Sequence, residues 1–146
     1  MFEKYTEGAR RTLFFARYEA CQYGSGSIEP EHLLLGLIRE DKRLARRVFQ
    51  RPGAAESIRK EIDAQVIHRG RISTAIEIPL SAESKQILRR ASNSAEKFGH
   101  RDVDNVHLLL AILRTEECAA AEILKRHCVG RNIIEQMVQN RTERSN

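Results

Sequence analysis

The chain contains an internal repeat: residues 5–62 resemble the stretch that lies 75 positions further along. The segment His32–Leu35 reads the same as His107–Leu110. The same shift, without a gap, aligns Tyr23 with Phe98, Leu13 with Leu88, Ala16 with Ala91, Ala20 with Ala95, Ala45 with Ala120, Val48 with Ile123 and Ile58 with Ile133. Because a constant offset over such a length indicates a duplicated structural unit, the sequence predicts two copies of one unit.

Each copy is predicted to begin with an amphipathic helix. In the first copy, apolar side chains recur at steps of three and four across residues 5–23, which is typical of one buried helix face. Thr6 and Ser81 stand just before the two stripes and are predicted N-caps. Gly24 and Gly99 follow the stripes and are predicted to end these helices in a left-handed residue.

A second helix is predicted to form the buried centre of each copy. In copy one it begins at Glu29-Pro30, where proline needs no hydrogen-bond partner, and Asp104 is the matching cap in copy two. Residues 32–38 are apolar nearly all round. The predicted core therefore includes Leu33, Leu34, Leu37, Leu108, Leu109 and Ile112.

The predicted fold is an all-α, pseudo-twofold bundle of about eight helices, built from two tandem four-helix repeats in one domain, 1–146. Shorter helices are predicted over 43–51, 55–68, 117–126 and 131–141. Repeat one is predicted to cover about 5–68, an extended linker about 69–79, and repeat two about 80–141.

Composition and cysteine usage predict a cytoplasmic protein. No apolar run approaches the roughly 18 residues that span a bilayer, and Met1–Lys4 does not resemble a secretory leader. Three cysteines, Cys21, Cys118 and Cys128, lack metal-site spacing and are predicted to be buried, reduced thiols.

The charge balance leaves nucleic-acid binding as a remote alternative. The chain has 25 Lys+Arg against 20 Asp+Glu, a net charge of +5. The basic residues are spread along the chain, aromatic residues make up 5%, and no run of them resembles a base-stacking platform. A solvated basic face is the favoured interpretation, and neither nucleic acid nor membrane is an expected partner.

No catalytic, cofactor or metal site is predicted from the residues. The eight glycines form no phosphate-binding loop, and Glu31-His32 is in the wrong order for a metalloprotease helix. His32 and His107 form a duplicated pair at the third position of a buried helix. A structural role at the helix start is favoured over metal binding or acid–base chemistry.

Recognition of a charged ligand has more support. Helix N-termini bind anions, and Thr6 and Ser81 each place a hydroxyl at one. Glu31, in the first turn of the second helix, is a possible guanidinium partner. The alternative is that the two hydroxyls only cap their helices and that Glu31 only favours the helix dipole.

The outer face of the first helix carries a candidate partner contact. At about 100° per residue, Phe14 points away from the apolar stripe and is predicted to be exposed, whereas Phe15 is predicted to be half-buried. Copy two has Arg89 and Arg90 at these positions, which fits a solvated face.

Several of these segments resemble the Clp N-terminal repeat domain, which begins the Clp-family AAA+ unfoldases, most closely those of ClpC type. They are Tyr5–Ala9, Gly24, Glu31–Leu37, Gly99 and His107–Ile112. The resemblance covers almost the whole chain. It implies a non-enzymatic domain that binds protein substrates or adaptor proteins and passes them to an ATPase ring.

The resemblance also implies a ligand, because ClpC-type repeats can bind phosphoarginine. In that family a glutamate before the core histidine holds the guanidinium, and a hydroxyl residue at the first helix lies near the phosphate. Copy one keeps both, as Thr6 and Glu31; copy two keeps Ser81, with Lys85 one turn on, but has Val106 at the glutamate position. One phosphoarginine site, in copy one, is therefore expected.

Two functions follow from the resemblance and stay open at this point. The first is a module that recognises marked clients or adaptors. The second is a free-standing regulator that docks on a Clp ATPase ring or peptidase without binding clients.

Overall fold

Eight α-helices make up the fold of residues 2–145, which this computed structural model describes; side chains are described for residues 2–141. In chain order they are α1 (Glu7–Gln22), α2 (Pro30–Glu40), α3 (Lys42–Val48), α4 (Ala54–Gln65), α5 (Ala82–Lys97), α6 (Asn105–Arg114), α7 (Ala119–Arg126) and α8 (Arg131–Ser145). These residues form no strand, only isolated bridges between Tyr5 and Val103 and between Ile28 and Leu80. The predicted all-α fold is confirmed.

The first residues of the first two helices lie 75 residues apart in the two repeats, whereas those of the third and fourth helices do not. Helices α1 and α5 match at both ends, and α2 and α6 match at their first residue. Three predicted bounds of the shorter helices are wrong: α3 ends at Val48, α4 ends at Gln65, and α7 begins at Ala119. The last helix runs beyond its predicted end, to Ser145.

Helix α4 ends early because the following chain turns back onto the end of α1. The amide of Arg69 donates to the Tyr23 carbonyl at 3.0 Å, and that of Ile72 donates to the Cys21 carbonyl at 3.0 Å. These bonds satisfy carbonyls that a helix end leaves without partners. Gly24 has a φ of 70°, and a Cβ there would collide with the Gly70 carbonyl. The close passage of the linker therefore requires glycine.

The core is centred on α2 and α6, and all six side chains predicted to form it are buried. Gly36 lies where α2 crosses α1, and a Cβ at this position would lie 2.5 Å from the Thr12 carbonyl oxygen. The corresponding residue in repeat two is Ala111. Absence of a side chain at Gly36 thus sets how closely α1 and α2 pack.

The cysteines follow the prediction at two positions of three. Cys21 and Cys118 are buried, but Cys128 is exposed, so its predicted burial is wrong. Cys128 lies in the turn between α7 and α8, not on a packed helix face, and has a left-handed φ of 61°. The position 75 residues earlier is Gly53, with φ 77°. Both repeats therefore use a left-handed residue between their third and fourth helices.

Candidate functional site

Each repeat places the start of its first helix against the second helix of the other repeat. The Thr6 amide donates to the Val103 carbonyl at 2.9 Å, and the Thr6 hydroxyl donates to Asp104 Oδ1 at 2.9 Å. In the reciprocal contact, the Ser81 amide donates to the Ile28 carbonyl at 3.1 Å. The two places where a capped helix start meets a second helix are therefore built from both repeats.

This exchange overturns the pairing of Thr6 with Glu31 within repeat one. Thr6 lies beside the start of α6, where repeat two has Val106, whereas Ser81 lies beside the start of α2, which carries Glu31. Both hydroxyls are N-caps as predicted: Thr6 accepts a hydrogen bond from the Ala9 amide and Ser81 from the Ser84 amide, each at 3.1 Å. Of the two capping hydroxyls, the one beside the helix that carries Glu31 thus comes from the other repeat.

A cleft of about 580 Å³ lies beside the start of α2, and we name it the acidic cleft. Its lining includes Ser27, Glu29, Glu31, His32, Gln65 and Arg69. The Glu29 carboxylate is already engaged, because it accepts from Ser27 Oγ at 2.7 Å and from the first turn of α2. Among the described residues of this cleft, Glu31 is the carboxylate that does not cap a helix.

Glu31 is a half-buried acid without a cationic partner among the described residues. Burial raises the pKa of its carboxyl group, and the nearby carboxylates of Glu29 and Glu83 raise it further, against a backbone hydrogen bond that lowers it. An ionised carboxylate in such surroundings gains from an incoming cation. The chemistry of the cleft therefore favours a guanidinium or ammonium group.

A second buried acid, Glu19, shows the contrasting arrangement. Arg59 donates two hydrogen bonds to it, at 2.7 and 3.1 Å, and Arg39 lies 3.7 Å away. This pair joins α1 to α4, and its charges are already balanced. Of the two, only Glu31 has the free charge that a ligand site needs.

His32 and His107 have the structural role predicted for them. In each, Nδ1 accepts a hydrogen bond from the backbone amide of the helix N-cap, Glu29 or Asp104, at 2.9 Å. This bond assigns the proton of the neutral ring to Nε2. Burial lowers the pKa of both rings to about 4. The rings close the first turns of α2 and α6.

Repeat two has a counterpart of the acidic cleft, which we name the basic cleft. Its volume is about 260 Å³, and its lining includes Arg43, Leu44, Arg47, Val106, Met137 and Arg141. Val106, Asn140 and Arg141 in this cleft correspond to Glu31, Gln65 and Val66 in the other, each 75 residues apart. The same place in the two repeats thus carries opposite charge.

Lys85 lies away from both clefts. It is exposed on α5 and lines a groove with Phe2, Tyr5 and Leu80. Its sequence position one turn after Ser81 does not bring it into the lining of the acidic cleft. Ser81 is not among the described lining residues either, but its amide bond to the Ile28 carbonyl holds it beside the segment that leads into α2.

Phe14 is exposed, as predicted, with 62% of its surface accessible, and Phe15 is half-buried. The two rings touch edge to face, with centroids 5.6 Å apart. Arg39 lies over the rings of Phe15 and Tyr18, at 4.9 and 4.8 Å. This aromatic surface is separate from the clefts; a partner contact there stays a prediction.

The described residues contain neither a metal-ligand cluster nor a membrane-spanning helix. They contain no group of three or more His, Cys, Asp and Glu side chains placed to hold a metal ion. Within the same part of the chain, no helix combines the length and apolarity needed to cross a membrane.

Comparison with known proteins identifies the family of this fold and its paired repeats. The family model described as the Clp repeat (R) N-terminal domain matches residues 4–127. The chain belongs to this family. Its similarity to ClpC-type proteins, inferred from the repeated histidine–leucine segments, is confirmed by curated relatives.

The curated relatives are larger proteins. "Negative regulator of genetic competence ClpC/MecB" from Bacillus subtilis is 34% identical over 139 residues, covering 94% of this chain and 17% of the relative. "Chaperone protein ClpC, chloroplastic" from Pisum sativum is 35% identical over 126 residues, 86% of this chain and 14% of the relative. The chain therefore spans less than a fifth of the length of either.

Solved structures share the fold. The Hsp104 N-terminal domain from Candida albicans has a TM-score of 0.74, with 22% identity over 93% of this chain and 89% of that one. The N-terminal domain of ClpD from Arabidopsis thaliana has a TM-score of 0.71, with 22% identity over 98% and 97%. At this identity the likeness establishes the Clp N-domain architecture alone.

Sequence reasoning missed the basic cleft of this Clp N-domain. Arg43 and Arg47 were not among the predicted site residues, although their spacing of four places them on one face of α3. Arg141 comes to the same place from α8, almost 100 residues away in sequence. Only the spacing on α3 was a signal in the sequence, because the approach of α8 depends on tertiary packing.

Proposed function

We propose that the chain is a non-enzymatic binding module of the Clp ATP-dependent chaperone–protease system, and that it recognises protein clients or adaptor proteins. Membership of the Clp N-terminal domain family supports this assignment, as do relatives whose names include a ClpC chaperone. A cytoplasmic location stays a prediction; relatives named as chloroplastic also exist.

The observation that carries the proposal is Glu31 in the acidic cleft. The carboxylate is partly withdrawn from water, has other carboxylates as its charged neighbours, and pairs with no cation in the described part of the chain. Such a group disfavours the folded state at neutral pH, as a binding site does when it is prepared for a partner of opposite charge.

We propose phosphoarginine as the ligand class of this cleft. A guanidinium matches the planar geometry of a carboxylate and pairs with Glu31 through charge-assisted hydrogen bonds. The phosphate requires donors or a cation. We expect them from Arg69, which lines the cleft, and from the start of α5 at Ser81, which is bonded to Ile28 just before α2. Val106 offers no carboxylate, so we expect one site and not two.

Calorimetric titration tests this function. The chain is titrated with phosphoarginine, with arginine and with inorganic phosphate. We expect a stoichiometry near one for phosphoarginine and weaker binding of the other two, since each satisfies half of the site. Glu31→Gln keeps the size of the side chain and is expected to lower affinity about tenfold or more, the loss of a charge-assisted hydrogen bond.

The matched control is Glu56→Gln, which removes one exposed carboxylate from α4 outside the cleft lining. It is expected to leave the affinity within about twofold. Unchanged affinity in Glu31→Gln, or equal loss in both variants, contradicts the assignment of the cleft.

A regulator that docks on a Clp ring without binding clients is the second candidate function, and the exposed Phe14 favours it. A single exposed aromatic ring is common, but here it adjoins Phe15 and the Arg39 stack. Pull-down of a purified ClpC-type ATPase by the chain and by Phe14→Ser separates the two functions. Loss of capture in Phe14→Ser, together with absent phosphoarginine binding, supports the regulator.

A further inference from the structure

Three arginine side chains converge on the basic cleft. Arg43 and Arg47 are one turn apart on α3 and exposed, and Arg141 approaches from α8. Among the described residues, neither Arg43 nor Arg47 forms an ion pair. Two fixed cations on one helix face, beside a third, attract an anionic group from solution.

The two carboxylates that line the cleft among the described residues, Asp41 and Asp104, do not neutralise these arginines, because both are engaged elsewhere. Asp41 Oδ1 accepts from the Leu44 amide at 2.9 Å, and its Oδ2 accepts from Asn105 Nδ2 at 3.2 Å. Asp104 accepts the Thr6 hydroxyl on Oδ1, and its Oδ2 lies 3.7 Å from Arg141. They cap helices and orient Arg141, so Arg43 and Arg47 are left for a ligand.

Apolar side chains also line the basic cleft. Val106 stands where the acidic cleft has Glu31, and it is joined by Leu44 and Met137. A carboxylate at position 106 would have paired with the nearby guanidinium groups. Its absence leaves the arginines of the cleft beside apolar side chains.

The geometry points to an acidic peptide segment as the occupant of the basic cleft. Carboxylates of the peptide pair with Arg43 and Arg47, in the bidentate manner that guanidinium groups favour. An apolar side chain between the acids contacts Val106 and Met137. No aromatic residue is among those that line the cleft, so it has no base-stacking surface. A volume of about 260 Å³ also suits one or two side chains. An acidic protein segment therefore fits better than a nucleic acid.

Fluorescence anisotropy with the full chain tests this inference. The probe is a fluorescein-labelled peptide of alternating glutamate and leucine, and lysine replaces glutamate in the control peptide. We expect the acidic peptide to bind, the basic one not to bind, and added salt to weaken the interaction because exposed charges are screened.

The matched pair of variants is Arg47→Glu and Arg46→Glu. These exposed arginines are neighbours in the last turn of α3, but only Arg47 lines the basic cleft. We expect Arg47→Glu to lower the affinity for the acidic peptide about tenfold or more and Arg46→Glu to change it less than about threefold. Val106→Glu, with its fold checked by circular dichroism, is expected to weaken binding as well.

The inference would be overturned if the acidic peptide did not bind, or if Arg46→Glu and Arg47→Glu lost equal affinity for it. It would also be overturned if a single-stranded oligonucleotide bound in place of the peptide and Arg47→Glu abolished that binding. The inference does not rest on the proposed phosphoarginine site. Glu31→Gln changes only the acidic cleft and is expected to leave peptide binding unchanged, so the two proposals fail separately.

Discussion

At the scale of single residues, His32 and His107 couple folding to pH. Burial lowers the pKa of both rings to about 4, from 6.5 in the unfolded chain. Between these values the unfolded chain binds more protons, so the free energy of unfolding is expected to fall as the pH falls from 6.5 to 4. At about 1.4 kcal/mol per pKa unit, each histidine accounts for roughly 3 kcal/mol.

Urea unfolding at a series of pH values measures this effect. His107→Gln keeps a side chain that can accept the Asp104 amide bond at the third helix position, and is expected to flatten the profile by about half. His68→Gln, at an exposed position, is the control and is expected to keep the slope of the unmodified chain. A profile unaffected by His107→Gln contradicts the role given to the buried ring.

Glu31 affects stability in the opposite pH range from the histidines, because its ionised form opposes folding at high pH. Its pKa is raised by burial, so the folded chain favours the protonated form, and the ionised carboxylate opposes folding above that pKa. Glu31→Gln is therefore expected to raise the melting temperature at pH 7 by about 1–3 °C, while it weakens phosphoarginine binding. Differential scanning calorimetry at pH 7 makes the measurement. A lower melting temperature would show instead that Glu31 stabilises the fold.

At the scale of helices, Gly36 sets the crossing of α1 over α2. Because a Cβ would lie 2.5 Å from the Thr12 carbonyl oxygen, Gly36→Ala is expected to force the helices apart and cost about 1–3 kcal/mol of unfolding free energy. Gly26→Ala is the control, since nothing lies within 4 Å of a Cβ there. Equal unfolding midpoints for the two variants, measured in urea, would mean that a methyl group fits between α1 and α2.

The turn after α7 uses a cysteine where its counterpart uses glycine. Cys128 has a φ of 61°, a conformation that costs a residue with a side chain roughly 1–2 kcal/mol. Glycine adopts this conformation without steric cost, but it loses more backbone entropy on folding, which offsets part of the gain. We therefore expect Cys128→Gly to stabilise the chain by up to about 1 kcal/mol. Cys128→Ala removes the thiol without relieving the backbone and is expected to give no gain. Thermal unfolding that stabilises the alanine variant equally would assign the effect to the thiol.

The features that the sequence predicts are those that depend on residues close together in the chain. The stripes that define α1 and α5, the caps at Thr6 and Ser81, and the left-handed Gly24 arise from neighbouring residues, and the sequence predicted them. The early end of α4 depends on hydrogen bonds from Arg69 and Ile72 to the end of α1. Such long-range contacts leave no periodic signal in the sequence.

The sequence offered Glu31, Thr6 and Ser81 as candidate site residues but did not show how the fold groups them. Glu31 and the two hydroxyls carry suitable chemistry at any arrangement of the repeats. Their grouping is decided by the chain segments before α1 and α5, which cross to the opposite repeat through the bridges at Val103 and Ile28. Spacing within one repeat contains no information about that exchange.

At the scale of the whole molecule, duplication gives two equivalent clefts and divergence gives them opposite charge. The acidic cleft keeps Glu31, whereas the basic cleft has Val106 with Arg43 and Arg47. The two proposals therefore assign a ligand of different charge to each cleft. We propose that the phosphoarginine site is assembled across the repeats, from Glu31 of one and Ser81 of the other.

Calorimetric titration of phosphoarginine into Thr6→Ala and Ser81→Ala tests this claim most directly. Both substitutions remove an N-cap and are expected to cost a similar stability, about 1 kcal/mol, so they control for each other. The composite site predicts that Ser81→Ala weakens binding severalfold and that Thr6→Ala leaves both affinity and a stoichiometry near one unchanged. Loss of binding in Thr6→Ala with none in Ser81→Ala, or a stoichiometry of two in the unmodified chain, would contradict it.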